Sequence, residues 1–190
     1  VNEENEGGNG DIWVADGYGA NYVHRYDKEG KLLGSINGEE GKAGGFDCPH
    51  SIYLDRRGSE PSLYIADRAN ARFQVYDLEG SYKRVFGSDF LTSPSAIVSH
   101  EDFLITAELR ARITVIDSND KLVGYLGEND TVCEIKGWPN SRDETGRIVR
   151  SRNLEPCKFN SPHGLAVDED GNFYVSEWLI GGRFIKLARI

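Results

Sequence analysis

Apolar and polar residues alternate along this chain in short runs that break at turns rich in Gly, Asp and Asn, a pattern that predicts strands rather than helices. The clearest set of runs covers 49–55, 63–68, 72–80 and 82–86. It opens with Pro49-His50-Ser51, its second run ends in Ala66-Asp67-Arg68, and its third ends in Asp77-Leu78-Glu79-Gly80. The same order recurs before and after it. Upstream lie 12–18, 22–30 and 32–36, with the opening run cut off near Val1. Downstream lie 94–98, 103–107, 113–117 and 122–126, and then 162–168, 173–176 and 184–187, where Asp170-Gly171 marks a hairpin turn.

Four tandem copies of one strand pattern predict four small antiparallel sheets. A small twisted sheet with two apolar faces is not stable alone, and radial stacking buries both faces while protecting the edges. The expectation is therefore an all-β propeller, with residues 1–190 as a single partial propeller domain. Its blades are expected at about 1–37, 46–87, 93–127 and 161–190, with an inserted loop over 128–160. The first copy lacks its inner strand and the last its outer one, as an interrupted ring would leave them. With blades of roughly 40 residues, about two more are expected upstream of Val1. Self-association through the incomplete blades is the alternative way to close. The inserted loop carries Trp138-Pro139-Asn140 and the basic series Arg142, Arg147, Arg150 and Arg152. Long loops on rigid scaffolds are often functional, and the plainer reading is a solvated lid.

Composition narrows the partners. A net charge of -9, from 31 acidic and 22 basic residues, opposes a phosphate backbone, so nucleic acid is not an expected partner. No stretch approaches the roughly 20 apolar residues needed to span a bilayer. The 3 cysteines, Cys48, Cys133 and Cys157, leave at least one without a partner in this chain. Cys133 and Cys157 bracket the inserted loop, either as a disulfide or as two buried thiols. Pairing would favour an oxidising compartment, and a secreted or periplasmic location is the expectation.

The candidate chemistry begins at one slot. In each complete copy the inner strand starts with Pro followed by one variable residue, which is His50, Ser95 or His163. The imidazoles fall on alternate blades, which a pseudo-threefold axis relates in a six-membered ring. A third His on a blade outside this chain would then meet them, and three neutral imidazoles with an open fourth position describe a catalytic zinc site. The alternative is a His bonded to backbone as a spacer between blades.

Three segments, Asp16-Gly17-Tyr18, Cys48-Pro49-His50-Ser51 and Ile65 through Arg72, resemble in order and spacing the peptidyl-α-hydroxyglycine α-amidating lyases. The similarity is strongest from Ile12 to Asp77 and returns from Phe159 to Ser176; the Pro-His-Gly and Ala-Asp-Arg signatures are those of NHL repeats in general. The resemblance implies a six-bladed propeller whose zinc is held by three His, two of them at His50 and His163. It places the family's catalytic tyrosine on Tyr18 and one of its two active-site arginines on Arg68, and it implies a structural calcium. The reaction implied is cleavage of the C–N bond of a peptidyl α-hydroxyglycine, giving peptide amide and glyoxylate. Zinc would bind the substrate hydroxyl, Tyr18 as tyrosinate would take a proton, and Arg68 would hold phenolate and carboxylate charge. A phenol of ordinary pKa near 10 needs such a cation beside it to ionise. Two positions depart from the family. Gly164 stands where the animal lyases have Asp after the last histidine, and Gly19 stands where they have a paired cysteine.

Two functions follow from these readings. One is a zinc-dependent lyase acting on a peptide or another small hydroxylated substrate. The other is a propeller without chemistry that presents its loops to a protein, peptide or glycan. For Tyr18 the structural alternative is a strand-end aromatic packed on the next blade. For Arg68 it is a turn arginine paired with Asp67 or backbone. An RNA-binding use of the NHL propeller is disfavoured, because it needs a positive face.

Overall fold

The computed structural model describes residues 1–189, and the chain forms two compact units, one over Val1–Phe90 and one from Leu91 onward. In the first unit, β1 (Ile12–Asp16), β2 (Tyr22–Tyr26) and β3 (Leu32–Ile36) form a three-stranded antiparallel sheet. Beside it, β4 (Pro49–Asp55), β5 (Ser62–Asp67), β6 (Arg72–Tyr76) and β7 (Tyr82–Phe86) form a four-stranded one. The facing sides close over Val23, Ile36, Phe46, Leu63, Ile65 and Tyr76, with Trp13 and Ile52 packed against them.

The second unit repeats the plan. One sheet is β8 (Pro94–His100), β9 (Phe103–Glu108), β10 (Arg112–Ile116) and β11 (Leu122–Leu126). After a two-residue ladder of β12 (Ser141–Arg142) with β13 (Ile148–Val149), the last sheet is β14 (Pro162–Val167), β15 (Phe173–Glu177) and β16 (Arg183–Leu187). Ile105, Ala107, Ile113, Phe159 and Val175 form the core between the two larger sheets. Each side chain fully removed from water here contributes about 1.5–3 kcal/mol. The architecture is all-β, and its strands run in consecutive meanders. The inserted loop is more ordered than a plain loop, with a 3₁₀ turn over Asp130–Glu134 besides the β12–β13 ladder. Cys48, Cys133 and Cys157 are all free cysteines.

One polar unit recurs in three sheets. The second strand ends in a carboxylate, Asp67, Glu108 or Glu177, each buried, and the third strand begins with Arg72, Arg112 or Arg183. The arginine Nε reaches the carboxylate at 2.7 Å for Asp67, 2.8 Å for Glu108 and 2.6 Å for Glu177. The carboxylate also accepts backbone N–H groups from the segment that leads into the first strand. Asp47 donates to Asp67 at 2.7 Å, and Asn160 and Ser161 donate to Glu177 at 2.6 and 3.2 Å. Glu108 accepts from the Thr92 N–H, from the Ser93 N–H at 2.9 Å and from the hydroxyls of Thr92 and Thr114 at 2.7 and 2.5 Å. A charge buried this deeply is tolerated because the arginine and the surrounding N–H and O–H groups compensate it, with Glu177 Oε2 met by the Arg183 ion pair alone. The residue just before the arginine turns through the left-handed region in each case, at Ala71 (φ 52°), Ala111 (φ 61°) and Gly182 (φ 62°).

Replacing Glu108 with Gln keeps the shape but leaves the buried Arg112 with only the more exposed Glu128 carboxylate, 3.2 Å from its Nη1, as counter-charge, and turns an amide N–H₂ toward donors. The expected loss is about 3 kcal/mol of unfolding free energy, read as a lower denaturant midpoint at unchanged slope. A change below about 0.5 kcal/mol, the range of ordinary surface substitutions, would show that the carboxylate does not hold the blade entry.

Candidate active site

The strands β4, β8 and β14, each the first of its sheet, carry a β-bulge at the second residue. Pro49 pairs with Asp67 and Ser51 with Ala66, so His50 is the extra residue. Pro94 pairs with Glu108 and Ala96 with Ala107, leaving Ser95. Pro162 pairs with Glu177 and Gly164 with Ser176, leaving His163. A bulge turns one side chain out of the strict in-out alternation. The three variable residues of the sequence pattern are thus the same structural position, directly above the buried carboxylate unit. Ser95 uses its hydroxyl between blades, lying 3.0 Å from the Ala107 carbonyl and 3.3 Å from the Pro162 carbonyl. His50 and His163 are half-buried.

In the first unit Tyr18, Arg68 and His50 come together. Tyr18 lies in the turn from β1 to β2 and is 81% exposed, so it is not an interblade core residue. Its ring meets the His50 ring edge-on, with centroids 6.1 Å apart. The Arg68 Nη1 donates to the Tyr18 hydroxyl oxygen at 3.1 Å, and its Cζ stands 5.3 Å from the ring centroid. Arg68 is free for this because Arg72 takes Asp67 instead. The guanidinium places a positive charge at the atom where negative charge would develop on a phenol acting as base.

Three further residues hold this group in place: Gly17 and Cys48, which lie in the segments that carry the resemblance, and Asn21, which does not. Gly17 is required by close approach: a Cβ there would lie 2.3 Å from the Pro49 carbonyl oxygen. That approach sets the Tyr18 turn against the start of β4. Cys48 has φ 56°, receives the Arg68 Nη2 on its Sγ at 3.0 Å, and accepts the Arg68 N–H on its carbonyl at 3.3 Å. Asn21 fixes the same residue from the other side, its Oδ1 accepting the Cys48 N–H at 3.0 Å. The Asp-Gly-Tyr sequence between two strands was the available signal for Gly17. Cys48 was marked by the Cys48-Pro49-His50-Ser51 segment, and nothing local marks Asn21.

His163 begins the last sheet in the second unit. The end of the inserted loop leads into it, with Trp138 Nε1 donating to the Asn160 carbonyl at 3.0 Å. Trp13 packs on the core of the first unit under the Arg25 guanidinium, whereas Trp178 is 59% exposed. For metal ligation, an imidazole in this slot is a donor of the kind that zinc takes. Among the described residues no group of three or more His, Cys, Asp or Glu side chains forms a complete metal site. No helix among the described residues is long and apolar enough to cross a membrane.

Comparison with known proteins follows the same lines. Residues 159–178 match the NHL repeat. The chain is 30% identical over 138 residues to NHL repeat-containing protein 3 of Homo sapiens, covering 67% of this chain and 37% of that protein. It is 28% identical over 172 residues to a probable peptidyl-α-hydroxyglycine α-amidating lyase of Caenorhabditis elegans, covering 89% of this chain and 44% of that protein. The chain thus spans less than half the length of these curated relatives. Among solved structures, a catalytically inactive H270A virginiamycin B lyase from Staphylococcus aureus with quinupristin aligns with a TM-score of 0.55 at 12% identity, over 95% of this chain and 52% of that one. Its sheets are arranged as in a β-propeller, and the likeness shows the fold. This chain is an all-β protein of propeller type that carries an NHL repeat and is homologous to peptidyl-α-hydroxyglycine α-amidating lyases.

Proposed function

We propose that the chain carries part of the active site of a zinc-dependent lyase that cleaves a peptidyl α-hydroxyglycine into peptide amide and glyoxylate. The observation that carries this reading is the Tyr18–Arg68–His50 cluster, in which an exposed phenol is hydrogen-bonded to a guanidinium beside a bulged imidazole. His50 and His163 would serve as imidazole donors to zinc, which when bound supplies a Lewis acid for the substrate hydroxyl. Tyr18 takes the hydroxyl proton as general base. Arg68 stabilises the phenolate that this step requires and binds the carboxylate of the glycine portion. As the proton leaves, the carbinolamide oxygen forms the carbonyl of glyoxylate. The C–N bond breaks, its electron pair stays on nitrogen, and reprotonation of nitrogen gives the amide.

A second reading, a peptide- or glycan-binding propeller without chemistry, is supported by the similarity to NHL repeat-containing protein 3. Glyoxylate release separates the two. A synthetic peptide ending in α-hydroxyglycine, incubated with zinc-loaded protein in its longest natural form, is expected to release glyoxylate faster than the buffer blank. Tyr18→Phe should lower kcat by about 10²-fold or more, the usual contribution of general base catalysis, with little change in KM. Arg68→Ala should raise KM as well, since it removes a carboxylate partner. No release above the blank would leave the binding reading.

Gly17→Ala tests the placement of Tyr18. The added methyl must displace the turn from Pro49, so kcat is expected to fall while the denaturant midpoint changes far less than in Glu108→Gln. Unchanged kcat would show that the turn position does not matter to the reaction.

A further inference from the structure

The chain carries a net charge of -9, yet residues 136–158 hold six basic side chains against three acidic ones. Most arginines elsewhere are matched to carboxylates, including Arg25 with Asp11, Arg57 with Asp55 and Arg110 with Glu134. Among the described residues none of Arg142, Arg147, Arg150 and Arg152 forms an ion pair. All four are exposed. The hairpin's own acid is already committed. One oxygen of Asp143 accepts from the N–H groups of Thr145 and Arg147 at 2.9 and 3.0 Å and from the Thr145 hydroxyl at 2.7 Å. These bonds, led by the Thr145 hydroxyl and aided by the charge of nearby Arg152, hold the Asp143 carboxyl below its ordinary range. It therefore stays ionised as the turn's anchor, with the lone pairs of its Oδ1 spent inside the turn.

The hairpin is fixed rather than loose. Ser141 pairs with Val149 and Arg142 with Ile148. The Arg152 N–H donates to Ser141 Oγ at 2.9 Å, and the Ile180 N–H donates to Asn140 Oδ1 at 2.7 Å. Arg150 lies against Gly181, where a Cβ would meet its Nε at 2.2 Å. Gly181 belongs to the turn that follows Glu177, and Glu177 pairs with Pro162, the residue before His163. The unpaired cations are thus tied to the end of the sheet at which His163 stands.

From this placement we infer that the β12–β13 hairpin is a specificity surface that receives acidic side chains of a peptide ligand. The inference rests on the lyase reading only for the ligand being a peptide, while its charge argument stands on the hairpin alone. A peptide with Asp or Glu near its C-terminus complements the exposed guanidinium groups of Arg147, Arg150 and Arg152, each able to bind a carboxylate through two parallel N–H donors, while Arg142 gives its Nη1 to the Gly146 carbonyl at 2.8 Å. A nucleic-acid strand, the other polyanion such groups could hold, meets the acidic field of the remaining chain.

The test uses two fluorescein-labelled peptides that end in ordinary glycine and so need no turnover. One carries Asp and Glu before its terminus, the other Asn and Gln at the same positions, and a short oligothymidylate is the third probe. Anisotropy titrations are expected to give about fivefold or more tighter binding of the acidic peptide, a few exposed ion pairs' worth. That preference should vanish in the R147Q/R150Q variant and shrink in about 0.5 M salt, where exposed charges are screened. The single variant R147Q, altered only at an exposed side chain, should lose part of it. Equal binding of the two peptides, a preference that survives R147Q/R150Q, or tighter binding of the oligothymidylate would overturn the inference. Because none of the probes carries an α-hydroxyl, these outcomes are separate from the presence or absence of glyoxylate release.

Discussion

The buried carboxylate at the end of each second strand is the interaction on which the rest depends. Asp67, Glu108 and Glu177 each tie the segment entering a sheet to the start of that sheet's third strand through an arginine. An isolated charge in such a place would be strongly unfavourable. It is tolerated because the surrounding N–H groups would be equally costly to leave unpaired. The same pairing position places the bulge one residue on. The slot occupied by His50, Ser95 or His163 is therefore a by-product of how the blade is held, and its side chain is free to vary. Where it is Ser95, the slot serves packing between sheets; where it is His, the slot carries an imidazole.

Much of this was legible in the sequence, for physical reasons. Strand alternation with period two and the Asp-x-x-Gly turns are local signals, and they placed the sheets because antiparallel meanders pair neighbours. The equivalence of His50, Ser95 and His163 was readable from the preceding proline in the same way. The role of the Ala-Asp-Arg motif was only half readable. Arg68 and Arg72 both follow Asp67 closely, and nothing in the local sequence says which one pairs with it. Strand geometry decides, because Arg72 lies directly across from Asp67 in the β5–β6 register while Arg68 lies beyond the strand end.

The contacts that the sequence could not show are those made by backbone approach between sheets. Gly17 against Pro49, and Cys48 held by both Asn21 and Arg68, depend on how two meanders of the first unit pack. The inserted segment was similarly opaque, since its apolar residues have no strand or helix period. Its order comes from single tethers such as Trp138 to Asn160 and Asn140 to Ile180. Charge is distributed accordingly: an acidic body whose arginines are internally matched, and one hairpin whose arginines are not.

The most direct measurement is the zinc content of the protein, in its longest natural form, after saturation with the metal and exhaustive dialysis, beside its His50→Ala and His163→Ala variants. About one zinc per chain is expected, as for a catalytic site with three protein ligands, and either variant should lose it while keeping its β-sheet spectrum. A folded, metal-saturated protein that retains no zinc after dialysis, or variants that retain it in full, would contradict the account.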